Sequence, residues 1–177
     1  LPNDLAHGYI ASGQSEAVDK LVKSLWVNNK NHNNLLSFKG HYFGQGSMLS
    51  NSLSGHPNSF FEVSILDNPT CENEEDILKQ VEELIKKGTY LSVWIEPLQS
   101  LSMERTSLTF LKKLRSLCDQ YKTPLIFNES ASSCFRFSQN QYYASGHPNI
   151  MPDAGIQHLG GQAALVFCKS EYFLKDP

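Results

Sequence analysis

The sequence predicts an α/β protein built as a three-layer α/β/α sandwich around a mainly parallel sheet. Short apolar runs rich in β-branched and aromatic residues alternate with helical patterns along the chain. The stretches between successive runs are long enough for crossover helices, which makes the strands parallel and covers both faces of the sheet. At 177 residues the chain is long enough for one domain with a real core.

The first strand is expected at residues 8–12, where Tyr9 and Ile10 lie beside Gly8. A helix follows over 15–27, with Ala17, Val18, Leu21, Val22 and Leu25 on its apolar side. Asn-rich residues 28–34 stop it, and 35–38 form the second strand. Residues 40–58 are Gly- and Ser-rich and read mostly as loop, with room for a short helix near 48–53. The third strand is expected at 60–66. Residues 73–87 give the clearest helix. Ile77, Val81, Leu84 and Ile85 form its stripe, acidic residues lead, Lys86 and Lys87 trail, and Gly88 stops it. Strands at 90–95 and 124–127 flank a helix over 107–121 with Leu108, Leu111, Leu114 and Cys118 inward. A short strand at 154–156 and a last one at 163–168 complete the series.

The net charge of -3 gives no electrostatic reason to expect nucleic acid or anionic lipid as a partner. No apolar run reaches membrane-spanning length, and Leu1-Pro2-Asn3-Asp4 lacks a signal-peptide pattern. It also lacks an initiator Met, so a piece of a longer protein is one reading. Cys71, Cys118, Cys134 and Cys168 are scattered with no C-x-x-C pair, as expected of reduced thiols in a cytoplasmic protein. His41, His56, His147 and His158 are too dispersed for a zinc site. Nucleotide-binding glycine motifs and a nucleophile elbow are absent. In open parallel sheets ligands gather at the carboxyl ends of strands, which singles out Ser12-Gly13, Glu96-Pro97 and Asn128-Glu129.

Those strand ends carry a series of family segments. Ser12 to Ala17 with downstream Lys23 resembles an Asn-Ser-Gly-Ser-Glu-Ala segment, and Gly40-His41-Tyr42-Phe43-Gly44 resembles a Tyr-His-Gly loop. Ile95-Glu96-Pro97-Leu98-Gln99 resembles Glu-Pro-Val-Gln, and residues 111–118 resemble the helix before the cofactor strand. Asn128-Glu129-Ser130 stands at an Asp-Glu-Val strand end and Phe135-Arg136 in a Gly-Phe-Gly-Arg stretch. Pro152-Asp153 and Leu159-Gly160-Gly161 resemble the run that leads to the catalytic lysine and its Leu-Gly-Gly tail. In this order, over nearly the whole chain, the segments resemble the class III (ornithine-type) aminotransferases of pyridoxal-phosphate fold type I. The resemblance implies a mixed seven-stranded major domain over residues 1–177, without the family's N-terminal segment and C-terminal small domain. It also implies a dimer with its cofactor site between subunits.

Transamination needs a lysine to form an imine with the cofactor aldehyde and to shuttle a proton. It needs a carboxylate facing the pyridine nitrogen, an aromatic face on the ring, and backbone N–H groups at a helix start for the phosphate. The resemblance puts Gly13, Gln14 and Ser15 at the phosphate, where an ordinary Ser N-cap is the other reading. Tyr42 takes the ring-stacking position, with Phe43 in place of the His. Glu96 and Arg136 are candidate substrate contacts, with local structural bonding as the alternative. Asn128 replaces the ring-nitrogen Asp and carries no charge. Gln157 or His158 occupies the lysine position, and no Lys occurs anywhere in 123–168.

The expectation is therefore an aminotransferase-like domain without catalytic activity, in a binding or scaffolding role. It would hold pyridoxal phosphate noncovalently or not at all, as a homodimer or within a larger protein. Two alternatives stay open: a working transaminase whose missing parts are supplied elsewhere, and a non-enzymatic small-molecule-binding or interaction domain.

Overall fold

A computed structural model describes residues 4–56, 62–136, 139 and 142–173. Seven strands form one sheet in the order β1-β7-β6-β5-β4-β2-β3. They are β1 (His7–Ala11), β2 (Asn34–Phe38), β3 (Glu62–Leu66), β4 (Tyr90–Ile95), β5 (Leu125–Asn128), β6 (Ala154–Gly160) and β7 (Ala163–Cys168). Strands β3, β2, β4, β5 and β6 pair in parallel, while β7 runs antiparallel between β6 and β1. Every residue of β4 and β5 is buried, as continuous apolar runs in a sheet covered on both faces should be. The Phe60-Phe61 start expected for the third strand lies outside the described residues, as do Leu1, Pro2 and Asn3 of the N-terminal reading.

Helices α1 (Gln14–Asn28) and α2 (Met48–Leu53) contribute to the core on one face, α3 (Glu74–Ile85) and α4 (Leu108–Gln120) on the other. The α1 stripe Ala17, Val18, Leu21, Val22 and Leu25 is wholly buried. In α4 the stripe is rotated from the expected one. Leu108 is turned toward solvent and Phe110 takes the inward place, against Phe38. Helix α2 stands out of the Gly/Ser-rich loop because Ser47 and Ser50 form a capping box, each hydroxyl accepting from the other's backbone N–H. Strand β6 runs four residues beyond the expected 154–156. Its pairing with β7 extends to Gly160↔Ala163, so only Gly161 and Gln162 connect the two strands.

A buried ionic cluster closes the amino-terminal edge of β6. Asp153 pairs with Arg115 of α4 at 2.8 Å and with Lys169 at 2.5 Å, and accepts from Leu125 N–H. Burial works to raise this carboxyl. The Arg115 charge, the Lys169 bond and the Leu125 N–H more than offset it and hold the group below the usual carboxylate range. Lys169 is thereby fixed at the edge of the sheet opposite the strand carboxyl ends. Among the described residues no helix is long and apolar enough to cross a membrane.

Candidate functional site

The parallel strands direct five connecting segments to one edge of the sheet, where they line a cleft of about 1070 Å³. Ser12, Gly13 and the first turn of α1 form one wall, facing Tyr42 and Gly44 to Gly46 from the loop after β2. Ser100 and Met103 follow β4, Ser130, Ala131 and Arg136 follow β5, and His158, Gly161 and Gln162 come from the β6–β7 hairpin.

Helix α1 begins at Gly13, which has no side chain to cap it. The intrahelical ladder starts with Ala17 N–H donating to Gly13 C=O at 3.1 Å, so the amides of Gln14, Ser15 and Glu16 precede it. The Ser N-cap reading is therefore corrected. The Ser15 hydroxyl instead accepts from Gly46 N–H at 2.7 Å and from Ser50 Oγ at 3.0 Å, which ties the Gly44–Gly46 loop to the helix. Gly44, at φ +99°, lies against Ser15 Oγ so closely that a Cβ there would overlap it. Gln14 donates its amide to the Tyr42 carbonyl at 3.2 Å. The Glu16 carboxylate turns back to accept from Ser12 N–H at 2.6 Å and pairs with Lys20 at 2.7 Å. Lys20 and Ser12 hold its pKa down at about 2, so a negative charge already sits at the positive end of the helix.

Beneath the cleft lies a polar layer centred on the buried side chains of Glu96, Asn128 and His41. Glu96 accepts from Tyr42 N–H at 2.8 Å, from Ser100 Oγ at 2.5 Å and from Asn128 Nδ2 at 3.1 Å. The Asn128 amide also donates to the Tyr42 carbonyl at 2.7 Å, while its oxygen accepts from Ser130 N–H at 3.1 Å. Burial pushes Glu96 up to about 7, against the opposing bonds from Ser100 and Tyr42. His41 accepts from Glu96 N–H through Nδ1 at 2.8 Å and faces Asn68 through Nε2; burial lowers it to about 4. The Tyr42 backbone is thus held from three sides.

The sequence candidates separate into two groups. Gly13, Gln14, Ser15, Tyr42, Arg136 and His158 meet in the cleft. Phe43 does not: it is packed edge-on against Trp94 in the core, so its assignment to the cofactor site is corrected. Glu96 and Asn128 have no exposed surface and bond to one another and to the backbone, so neither offers a group to the cleft. Gln157 is turned to the other face of β6, where it accepts from Tyr142 Oη at 2.8 Å and donates to Cys134 Sγ at 3.1 Å. Alternation along the strand leaves His158 as the residue on the cleft side. Glu129 accepts from Ala144 N–H, Ser145 N–H, Ser145 Oγ and Ser132 Oγ, all within the protein. Sequence reasoning missed Ser100, Met103 and Ser130 as lining residues. Their place just past the carboxyl ends of β4 and β5 was the available signal.

No lysine lines the cleft among the described residues. The coenzyme that the resemblance implies is therefore only half accommodated. The uncapped start of α1 and the Tyr42 ring suit a phosphate and a flat ring, but no amine faces the aldehyde. The Asn128 side chain is fully committed below the floor, so no carboxylate meets a ring nitrogen. The residues present do not fit the group as a transamination coenzyme. Among the described residues no cluster of three His, Cys, Asp or Glu side chains offers a metal site. The four cysteines are unbonded to one another.

No family model matches the chain. It is 30% identical, over 187 aligned positions, to the adenosylmethionine-8-amino-7-oxononanoate aminotransferase of Buchnera aphidicola subsp. Baizongia pistaciae (strain Bp). The match covers 93% of this chain and 43% of that enzyme. The chain is thus similar to an aminotransferase over nearly the whole of its own length. It spans less than half the length of the relative it matches. A transaminase from the marine bacterium Virgibacillus superposes with a TM-score of 0.80 at 20% identity, over 97% of this chain and 43% of that one. An (S)-enantioselective omega-transaminase from Thermomicrobium roseum gives 0.82 at 17% identity, over 97% and 45%. The omega transaminase of Pseudomonas jessenii, in complex with PMP, gives 0.77 at 18% identity, over 95% and 44%. The architecture of the chain is the α/β fold of the pyridoxal-phosphate-dependent transferases.

Proposed function

We propose that the chain is an aminotransferase-like domain that binds ligands in its cleft without catalysing amino-group transfer, and acts as a binding or scaffolding unit. The observation that carries this reading is the course of β6. The strand passes through the expected lysine position into a two-residue hairpin, with Gln157 turned away and His158, an imidazole, on the cleft side. Imine exchange requires an amine at this point. The commitment of Asn128 beneath the floor removes the ring-nitrogen carboxylate as well. Two losses in groups that act as a unit leave no partial activity to tune. Any pyridoxal phosphate would be held noncovalently, by the start of α1 and the Tyr42 ring. Incubation of the full chain with pyridoxal phosphate, then borohydride and intact-mass measurement, tests this: no pyridoxyl adduct in the cleft is expected.

The length of the chain favours a second reading, a transaminase completed by parts outside this span, since under half of the relative is matched. The position of the missing lysine lies inside the matched span, however, so the completing amine would have to enter from a different segment. A cleft-bound adduct that forms only with the complete parent protein or its assembly supports that reading.

A further inference from the structure

The floor of the cleft holds a hydroxyl whose direction is set by a proton. Glu96, with no exposed surface, accepts hydrogen bonds on both carboxyl oxygens. Oε2 takes the Tyr42 N–H at 2.8 Å and the Ser100 N–H at 3.3 Å, while Oε1 takes the Ser100 hydroxyl at 2.5 Å and the Asn128 amide at 3.1 Å. Backbone N–H groups and an amide NH2 can only donate, so of these partners Ser100 Oγ alone can accept. When Glu96 takes up a proton, its new O–H therefore turns to Ser100 Oγ, and the Ser100 hydrogen has to leave Oε1. Ser100 is half-buried and lines the cleft. Its hydroxyl bonds to no second acceptor among the described residues, so the displaced hydrogen is left for a ligand or for solvent.

We propose that Glu96 is a positioning residue that couples ligand binding to proton uptake: an anionic ligand oxygen in the cleft is met by the Ser100 hydroxyl as donor, and a proton from solvent passes onto Glu96 Oε1 as the ligand binds. This rests on the reading of the cleft as a noncovalent binding site and adds its regulation. With Glu96 ionised, the Ser100 hydrogen points down to the carboxylate, and a ligand anion above meets oxygen lone pairs and a buried negative charge. Protonation reverses the hydroxyl and removes the charge, so both effects favour the anion on the acid side of about 7. Burial raises Glu96, and no neighbouring charge adds to that. The groups packed on it keep one state near neutral pH. His41, whose Nδ1 accepts the Glu96 N–H, is lowered by burial to about 4, and Asn128 from β5 carries no charge. Glu104, further along the loop after β4, bonds to Asn68 instead. Glu16, Tyr42, Arg136 and His158 are the ionisable groups of the cleft walls.

The test is ligand-observed NMR titration of the 177-residue chain with benzenesulfonate, a flat ring whose negative charge is the same at pH 6 and pH 8. Apparent affinity follows the protonated fraction of Glu96, so the dissociation constant should be about tenfold weaker at pH 8 than at pH 6. Glu96→Gln presents an amide donor to Ser100 Oγ at both pH values, and the two constants should agree within about twofold. Ser100→Ala keeps Glu96 but has no hydroxyl to reverse. It should bind about threefold to tenfold more weakly than wild type at pH 6 and lose most of the pH dependence, and it carries the test if Glu96→Gln fails to fold. His158→Gln removes the rival titrating group of the cleft and should keep the tenfold dependence. Without ligand, the Tyr42 and Ser100 amide resonances should titrate together with a midpoint near 7 in wild type and not in Glu96→Gln. Equal wild-type affinity at the two pH values, full dependence in Glu96→Gln or Ser100→Ala, or its loss in His158→Gln each overturns the coupling and leaves the cleft a binding site. No binding of benzenesulfonate at either pH removes the anion site itself, so the two failures are distinguishable.

Discussion

Restoring the family's aspartate by Asn128→Asp should damage the fold rather than repair the site. The Asn128 NH2 group donates two buried hydrogen bonds, to the Tyr42 carbonyl and to Glu96. A carboxyl group supplies at most one, and only while it holds a proton, which costs about 1–3 kcal/mol for the bond lost. The new group would also lie 3.1 Å from a Glu96 oxygen. Two ionised carboxylates that close repel by roughly 5 kcal/mol even at an effective dielectric of 20, so the pair will retain one proton. Glu96 takes that proton at about 7, so holding it at pH 8 costs a further ~1.4 kcal/mol, and at pH 6 almost nothing. The expected loss is about 2–4 kcal/mol at pH 8 and about 1–3 kcal/mol at pH 6. Urea unfolding of both proteins at the two pH values measures it. A neutral or stabilising substitution at pH 8, or a loss that grows on acidification, would refute the reasoning.

Folded Glu96 binds its proton more tightly than an unfolded glutamate, so it contributes stability on the acid side that is lost as pH rises from about 4.5 to about 7, roughly 3 kcal/mol in all. Glu96→Gln removes that dependence, and the difference in denaturation free energy between variant and wild type should change over this window and level off above it. Gly155→Ala places a Cβ 2.3 Å from Phe167 Cζ, in overlap with the ring edge, and 3.2 Å from the Phe127 carbonyl, and should destabilise by about 1–3 kcal/mol in thermal or urea melts. His158→Lys introduces an amine on the cleft side of β6. It should yield a borohydride-trapped pyridoxyl adduct by mass spectrometry yet no transaminase turnover, because Asn128 still leaves the ring nitrogen without a carboxylate.

The strands and helices were largely legible because each buries an apolar stripe of the right period. The α1 stripe from Ala17 to Leu25 and the continuous run of β4 are the plainest cases. Helix α2 was obscured because its capping box pairs two serines, which read as loop composition. The extension of β6 was obscured because Gly160 and Gly161 signal a turn but not how tightly it closes. At the site, the missing lysine was visible as a plain absence of that residue type over 123–168. The direction of side chains was not. Phe43 and Tyr42 are adjacent and equally aromatic, yet Phe43 fills the core against Trp94 while Tyr42 lines the cleft. The commitment of Asn128 and Glu96 to each other depends on bringing together the ends of β4 and β5, which lie 32 residues apart in sequence. Ser130 went unnoticed for the same reason, since an unpaired buried hydroxyl exists only in three dimensions.

The absence of amino-group transfer rests on one missing amine, and the most direct measurement is the mass of the 177-residue chain after saturation with pyridoxal phosphate and reduction by borohydride. The cleft peptides, residues 12–46 and 123–168, should carry no pyridoxyl group, with only scattered labelling of surface lysines elsewhere. A stoichiometric adduct mapped to a lysine that reaches into the cleft, formed at coenzyme concentrations near those of the protein, would contradict it.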